Sequence, residues 1–126
     1  MELWFNPGCS NCRNAKGMLD EAGADYTERR YLDDAPTGEE LDLLLSKLQM
    51  QPWDIARMDE PVAKEIDLAS LPQDREKWLN VLVTHPILIQ RPIIVTDDGR
   101  AFVGRTDHAV RQALGQSTDR ETTDRG

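Results

Sequence analysis

Cysteine is scarce in this chain. Cys9 and Cys12 are its only two, too few for the disulfide framework of a small secreted domain. Histidine is equally scarce: only His85 and His108 could complete a zinc site with the C-x-x-C pair, so no metal is expected. Basic side chains are outnumbered, 15 Lys and Arg against 23 Asp and Glu, and the net charge of −8 argues against general affinity for nucleic acid or an anionic membrane. No apolar run is long enough to span a bilayer, and a strand pattern starts almost at once, so the expected location is the cytoplasm. Neither a repeat nor a linker divides residues 1–115, which are expected to form one domain. Gln116 to Gly126 hold no aliphatic or aromatic residue and are expected to be a disordered tail.

What is present converges on Asn6-Pro7-Gly8-Cys9-Ser10-Asn11-Cys12-Arg13-Asn14. Upstream, Glu2-Leu3-Trp4-Phe5 is a short β-prone run. Downstream, Ala15, Met18, Leu19 and Ala22 recur at the spacing of one helix face. Asn-Pro-Gly between the two is a turn signal, which puts Cys9 at the mouth of the helix. A thiol there meets unpaired backbone N–H groups and the positive end of the helix dipole, both of which favour thiolate. Cys9 is thus a candidate nucleophile, and Cys12 lies about one helical turn on. A C-x-x-C pair beside a strand–helix pattern reads as redox chemistry in a reducing compartment. Cys12 either resolves an oxidised Cys9 or packs as a small buried side chain.

Along the chain, Gly23 is placed to end the first helix, and residues 25–32 form a plausible second strand. Thr37 and Glu40 make a capping box for a helix whose apolar face is Leu41, Leu44, Leu45 and Leu48. Pro52 opens a short helix packed through Trp53, Ile55, Ala56 and Met58, and residues 73–83 form another. Strand signal returns across Pro86 to Val95, and Asp97-Asp98-Gly99-Arg100 turns the chain into Ala101-Phe102-Val103-Gly104. Thr106-Asp107 can cap a last helix.

The order β-α-β, helical block, β-β-α, with C-x-x-C in the first loop, resembles the thioredoxin fold, an α/β class, with a helical insertion at about 37–84. In that fold the proline opening the third strand is cis and faces the redox cysteines, and Pro92 holds the matching place. At residue level, Asn6-Pro7-x-Cys9, Arg13-Asn14 and His85-Pro86-Ile87-Leu88-Ile89-x-Arg91-Pro92-Ile93 resemble the arsenate reductases of the glutaredoxin-linked family. The resemblance implies reduction of arsenate to arsenite at Cys9, with oxyanion-binding arginines at Arg57, Arg91 and Arg105. It implies no bound cofactor, but an external thiol reductant: glutathione with glutaredoxin, or a thioredoxin-type protein. Planar guanidinium groups suit such a site because each offers two parallel donors to one oxyanion. Asn6 either bonds within the loop or touches the anion. Arg13 either pairs with a carboxylate or adds a further anion contact, and His85 is expected to be structural.

Two positions depart from the enterobacterial form of the family. Phe5 replaces a histidine, and Cys12 replaces a serine, which opens an internal Cys9–Cys12 disulfide. The C-x-x-C followed by arginine, with Arg91-Pro92-Ile93-Ile94, also resembles Spx-type transcription regulators, which bind RNA polymerase. A general thiol–disulfide oxidoreductase is the third alternative.

Overall fold

The computed structural model describes residues 1–115, so the expected tail, 116–126, lies outside the described residues. The described residues form two compact units: residues 1–30 together with 91–115, and Tyr31–Gln90.

In the first unit, β1 (Glu2–Trp4) leads into α1 (Ser10–Glu21) and β2 (Thr27–Arg29). A four-stranded sheet is completed by the strands Ile93–Val95 and Ala101–Val103, in the order β2, β1, Ile93–Val95, Ala101–Val103. The β1–β2 pair is parallel and the other two are antiparallel, with Leu3 opposite both Glu28 and Ile94. One face is apolar. Leu3, Phe5 and Ile94 pack there with Cys12, Ala15 and Leu19 of α1 and with Val110 and Ala113 of the last helix, Asp107–Ala113. Trp4 points the other way under period-two alternation, and its ring is covered by the Arg29 guanidinium at 4.9 Å. Gly23, at φ 68°, ends α1 as a Schellman cap: its N–H donates to Asp20 O and that of Ala24 to Leu19 O.

In the second unit lie α2 (Gly38–Leu48), α3 (Pro61–Glu65) and α4 (Arg75–Thr84). The Thr37–Glu40 capping box forms, and Leu41, Leu44, Leu45 and Leu48 are buried, as their spacing implies. Asp74 caps α4, which buries Trp78 against Trp53 edge-on at 6.1 Å. Met58, expected to pack, is instead 40% exposed, because Pro52 opens only a 3-10 turn, Pro52–Asp54, that does not carry a helical face to residue 58.

Two other expectations change. The second strand spans three residues rather than eight, since β1 offers only Glu2 to Trp4 as partners. The run Pro86 to Val95 is not one strand. Pro86–Leu88 is a 3-10 turn in which Leu88 N–H and Ile89 N–H donate to His85 O and Pro86 O. Prolines at 86 and 92 remove two ladder donors, so only Ile93–Val95, hereafter β3, joins the sheet; Ala101–Val103 is β4 and Asp107–Ala113 is α5. His85 closes α4 and starts this turn, the structural role expected of it.

Candidate active site

The loop after β1 is shaped by Asn6. Its carboxamide oxygen accepts from Gly8 N–H at 2.9 Å, and its carbonyl accepts from Cys9 N–H at 3.0 Å. The loop bond, one of the two roles open for Asn6, is thus formed. Arg13 reaches back and donates to Pro7 O at 2.8 Å, so its partner is a loop carbonyl rather than a carboxylate.

Cys9 is the N-cap of α1, in extended conformation, and its carbonyl accepts the first helical hydrogen bond from Arg13 N–H. Its thiol titrates below the ordinary range. Partial burial opposes ionisation, but hydrogen bonds from Cys12 N–H, the Cys12 thiol, the Arg91 guanidinium and Asn11 N–H outweigh it. Cys12 behaves oppositely. It is fully buried among Phe5, Ala15 and Ile94, and that burial, reinforced by the charge of Cys9, pushes its thiol up to about 12. Asn6 N–H, which donates to Cys12 Sγ at 3.5 Å, and the charge of Arg91 only partly offset this. The pair thus divides into one thiol whose ionisation its surroundings favour and one whose ionisation they oppose. Both cysteines are reduced.

Arg91 is 9% exposed and precedes a cis peptide bond to Pro92, at the position where the sequence implies one. Pro92 O accepts from Gly104 N–H at 2.8 Å, which places the end of β4 beside the Arg91–Pro92 bond. The approach is close: a Cβ at Gly104 would lie 3.0 Å from Ile94 Cδ1 and 3.4 Å from Pro92 Cγ. Arg105, exposed, follows directly. Thr106 caps α5 through Ala109 N–H at 3.1 Å, and Asp107 accepts from Asn14 Nδ2 on α1 at 2.8 Å.

Arg57 belongs to the second unit. There its backbone N–H donates to Leu88 O at 2.7 Å, and its Nε donates to Glu60 Oε2 at 3.3 Å. Ile55 to Arg57 are held to Leu88 to Gln90 by these contacts and by a single Ala56–Ile89 bridge. Within the first unit, therefore, Asn6, Cys9, Cys12, Arg91 and Pro92 come together, with Arg105 one residue beyond the Gly104–Pro92 bond. Sequence reasoning missed Gly104 as a contact point and Asn14–Asp107 as a pair, whose members are 93 positions apart. Among the described residues, no three His, Cys, Asp or Glu side chains come together to hold a metal, and no helix is long and apolar enough to cross a membrane.

The chain is 53% identical over 117 residues to an uncharacterized protein in the glnII region of Streptomyces viridochromogenes, covering 90% of this chain and 98% of that one. It is 32% identical over 115 residues to an arsenate reductase of Neisseria meningitidis, covering 90% and 97%. Similarity extends to the global transcriptional regulator Spx 2 of Bacillus anthracis, at 25% identity over 91% of this chain and 87% of that one. Among solved structures, a putative arsenate reductase from Yersinia pestis superposes with a TM-score of 0.80 at 28% identity, covering 90% and 97%. The fold is thioredoxin-like, as the order of elements implied. The ArsC family model matches residues 4–113, and the chain belongs to the ArsC family.

Proposed function

We propose that this protein reduces arsenate to arsenite with Cys9 as nucleophile. One observation carries the reading: Cys9 caps α1, and a hydrogen bond from the Arg91 guanidinium helps draw its thiol below the ordinary range, so a nucleophile and a cation meet at one point. The 32% identity to an arsenate reductase supports the choice of oxyanion.

The thiolate attacks arsenic(V) and an arsenate oxygen leaves as water, giving a sulfur–arsenic bond. Arg91 and Arg105 bind the remaining oxygens and stabilise the charge that develops on them. Arg57 is assigned the third guanidinium on the family resemblance. Cys12 then attacks the Cys9 sulfur. The sulfur–arsenic bond breaks with its electron pair going to arsenic, which becomes arsenic(III), while the Cys12 proton passes to an arsenic oxygen. Once Cys9 is in the adduct its negative charge is gone, and with it part of what holds Cys12 protonated. The Cys9–Cys12 disulfide is reduced by an external thiol, from glutaredoxin with glutathione or from a thioredoxin-type dithiol.

The test is arsenate-dependent turnover measured in parallel with glutathione plus glutaredoxin and with thioredoxin plus its reductase. Turnover with either supports the reading. Turnover with neither, together with binding to RNA polymerase that depends on the Cys9–Cys12 redox state, would favour the second reading, a regulator like Spx 2.

A further inference from the structure

The short segment between β4 and α5 is fixed from two sides. At one end, Gly104 N–H donates to Pro92 O at 2.8 Å, and an added Cβ would lie only 3.0 Å from Ile94 Cδ1. At the other, Thr106 Oγ1 accepts from Ala109 N–H, and Asp107 Oδ1 accepts from Asn14 Nδ2 at 2.8 Å. Arg105 sits between these fixed points. The Gly104 bond ties it to the strand that follows Arg91, while the Asn14 bond ties it to α1, the helix that Cys9 caps.

We propose that Asn14 and Asp107 form a clamp that sets the position of Arg105 relative to Cys9, making Asn14 a positioning residue of the anion site. This rests on the reading of Arg105 as an oxyanion-binding side chain. A guanidinium holds an oxyanion by two aligned N–H donors, so its geometry tolerates little displacement of the backbone that carries it. Loop residues are held only where something holds them. Without the clamp, α5 still packs on α1 through Val110 and Ala113, so the fold persists while the segment bearing Arg105 gains freedom. Both partners are exposed, so removing the bond removes little stability. Chemistry at the pair is directional as well: Asn14 donates and Asp107 accepts, so an exchange of the two side chains can rebuild the bond in reverse.

The experiment compares wild type, Asn14→Ala, Asn14→Asp, Arg105→Ala, the double variant Asn14→Ala/Arg105→Ala and the exchange Asn14→Asp/Asp107→Asn. Two readouts are taken: kcat/KM for arsenate, and the ratio of Cys9 alkylation rates with anionic iodoacetate and neutral iodoacetamide. The ratio reports a cation fixed near Cys9 and needs no turnover. Asn14→Ala should lower kcat/KM about ten-fold and the ratio at least three-fold. In the Arg105→Ala background the same substitution should change either by less than two-fold, since it acts through Arg105. Asn14→Asp sets two carboxylates against each other and should lose activity, which the exchange should recover to within two-fold. An unchanged ratio in Asn14→Ala, or an equal effect in the Arg105→Ala background, would overturn the clamp. Absent arsenate turnover in the wild type would instead sink the arsenate reading, with the alkylation ratio still deciding the clamp.

Discussion

Arg91 donates a hydrogen bond to the sulfur of Cys9 from the residue just before cis-Pro92. Arg91 is buried and Cys9 partly so, and a guanidinium donating to sulfur in that setting favours thiolate over thiol. Alkylation followed by mass spectrometry as pH is raised should therefore modify Cys9 first at neutral pH, with Cys12 unreactive until the protein unfolds. In Arg91→Ala the midpoint for Cys9 should rise. Modification of Cys12 first would reverse the assignment of nucleophile.

Lysine at position 91 keeps the charge but not the planar fork. Arg91→Lys is expected to lower arsenate turnover more than ten-fold, a loss of over about 1.4 kcal/mol of transition-state stabilisation. Activity equal to the parent would exclude a bidentate role.

Cys12→Ser separates resolution from packing. If Cys12 attacks the Cys9 adduct, the variant should stop after forming it, with thioredoxin-driven turnover lost and the adduct visible as added mass on Cys9. Undiminished thioredoxin-driven turnover would show that Cys12 only donates to the Cys9 thiolate, a task serine can perform.

Stability should also depend on Cys12 at high pH. In the folded chain its thiol is pushed up to about 12, whereas an unfolded thiol titrates near about 8.5. A raised pKa contributes stability that is complete below the unfolded value and is lost as pH rises toward the folded one. Between those limits the loss approaches about 1.4 kcal/mol per pH unit. Denaturant midpoints measured at pH 8 and pH 10 should fall further for wild type than for Cys12→Ser; equal falls would mean that Cys12 is not protonated in its buried position.

Two glycines should respond in opposite directions. Gly17 lies on the exposed face of α1 with nothing within 4 Å of an added Cβ, so Gly17→Ala should stabilise by about 1 kcal/mol and leave activity unchanged. Gly104→Ala must displace Ile94 or Pro92, costing about 1–3 kcal/mol and disturbing Arg105. Thermal melts and kcat/KM on both variants decide this.

The sequence discloses those parts of the fold whose signals are local. Thr37 and Glu40 announce α2 because a capping box lies within one turn, and Asp98-Gly99 announces the β3–β4 hairpin because the turn needs Gly99 at positive φ. The run from Pro86 to Pro92 misleads because its apolar residues suit a strand while its prolines remove the donors a strand needs. Cys9 and Arg91 are separated by most of the chain, yet motif resemblance pairs them. Nothing in the sequence pairs Asn14 with Asp107, since a single hydrogen bond between distant helices leaves no periodicity to read. Cys12 is legible as a cysteine but not as the fully buried thiol it is, because its depth is set by Phe5, Ile94 and α5 together.

The most direct test of Cys9-based reduction omits every external reductant. Pre-reduced protein mixed with excess arsenate and quenched should yield about one arsenite per chain, lose both free thiols, and give a Cys9–Cys12 peptide pair on mapping, as two electrons leave two thiols for one arsenic. Arsenite absent from that mixture, with both thiols still titrating, would contradict the account.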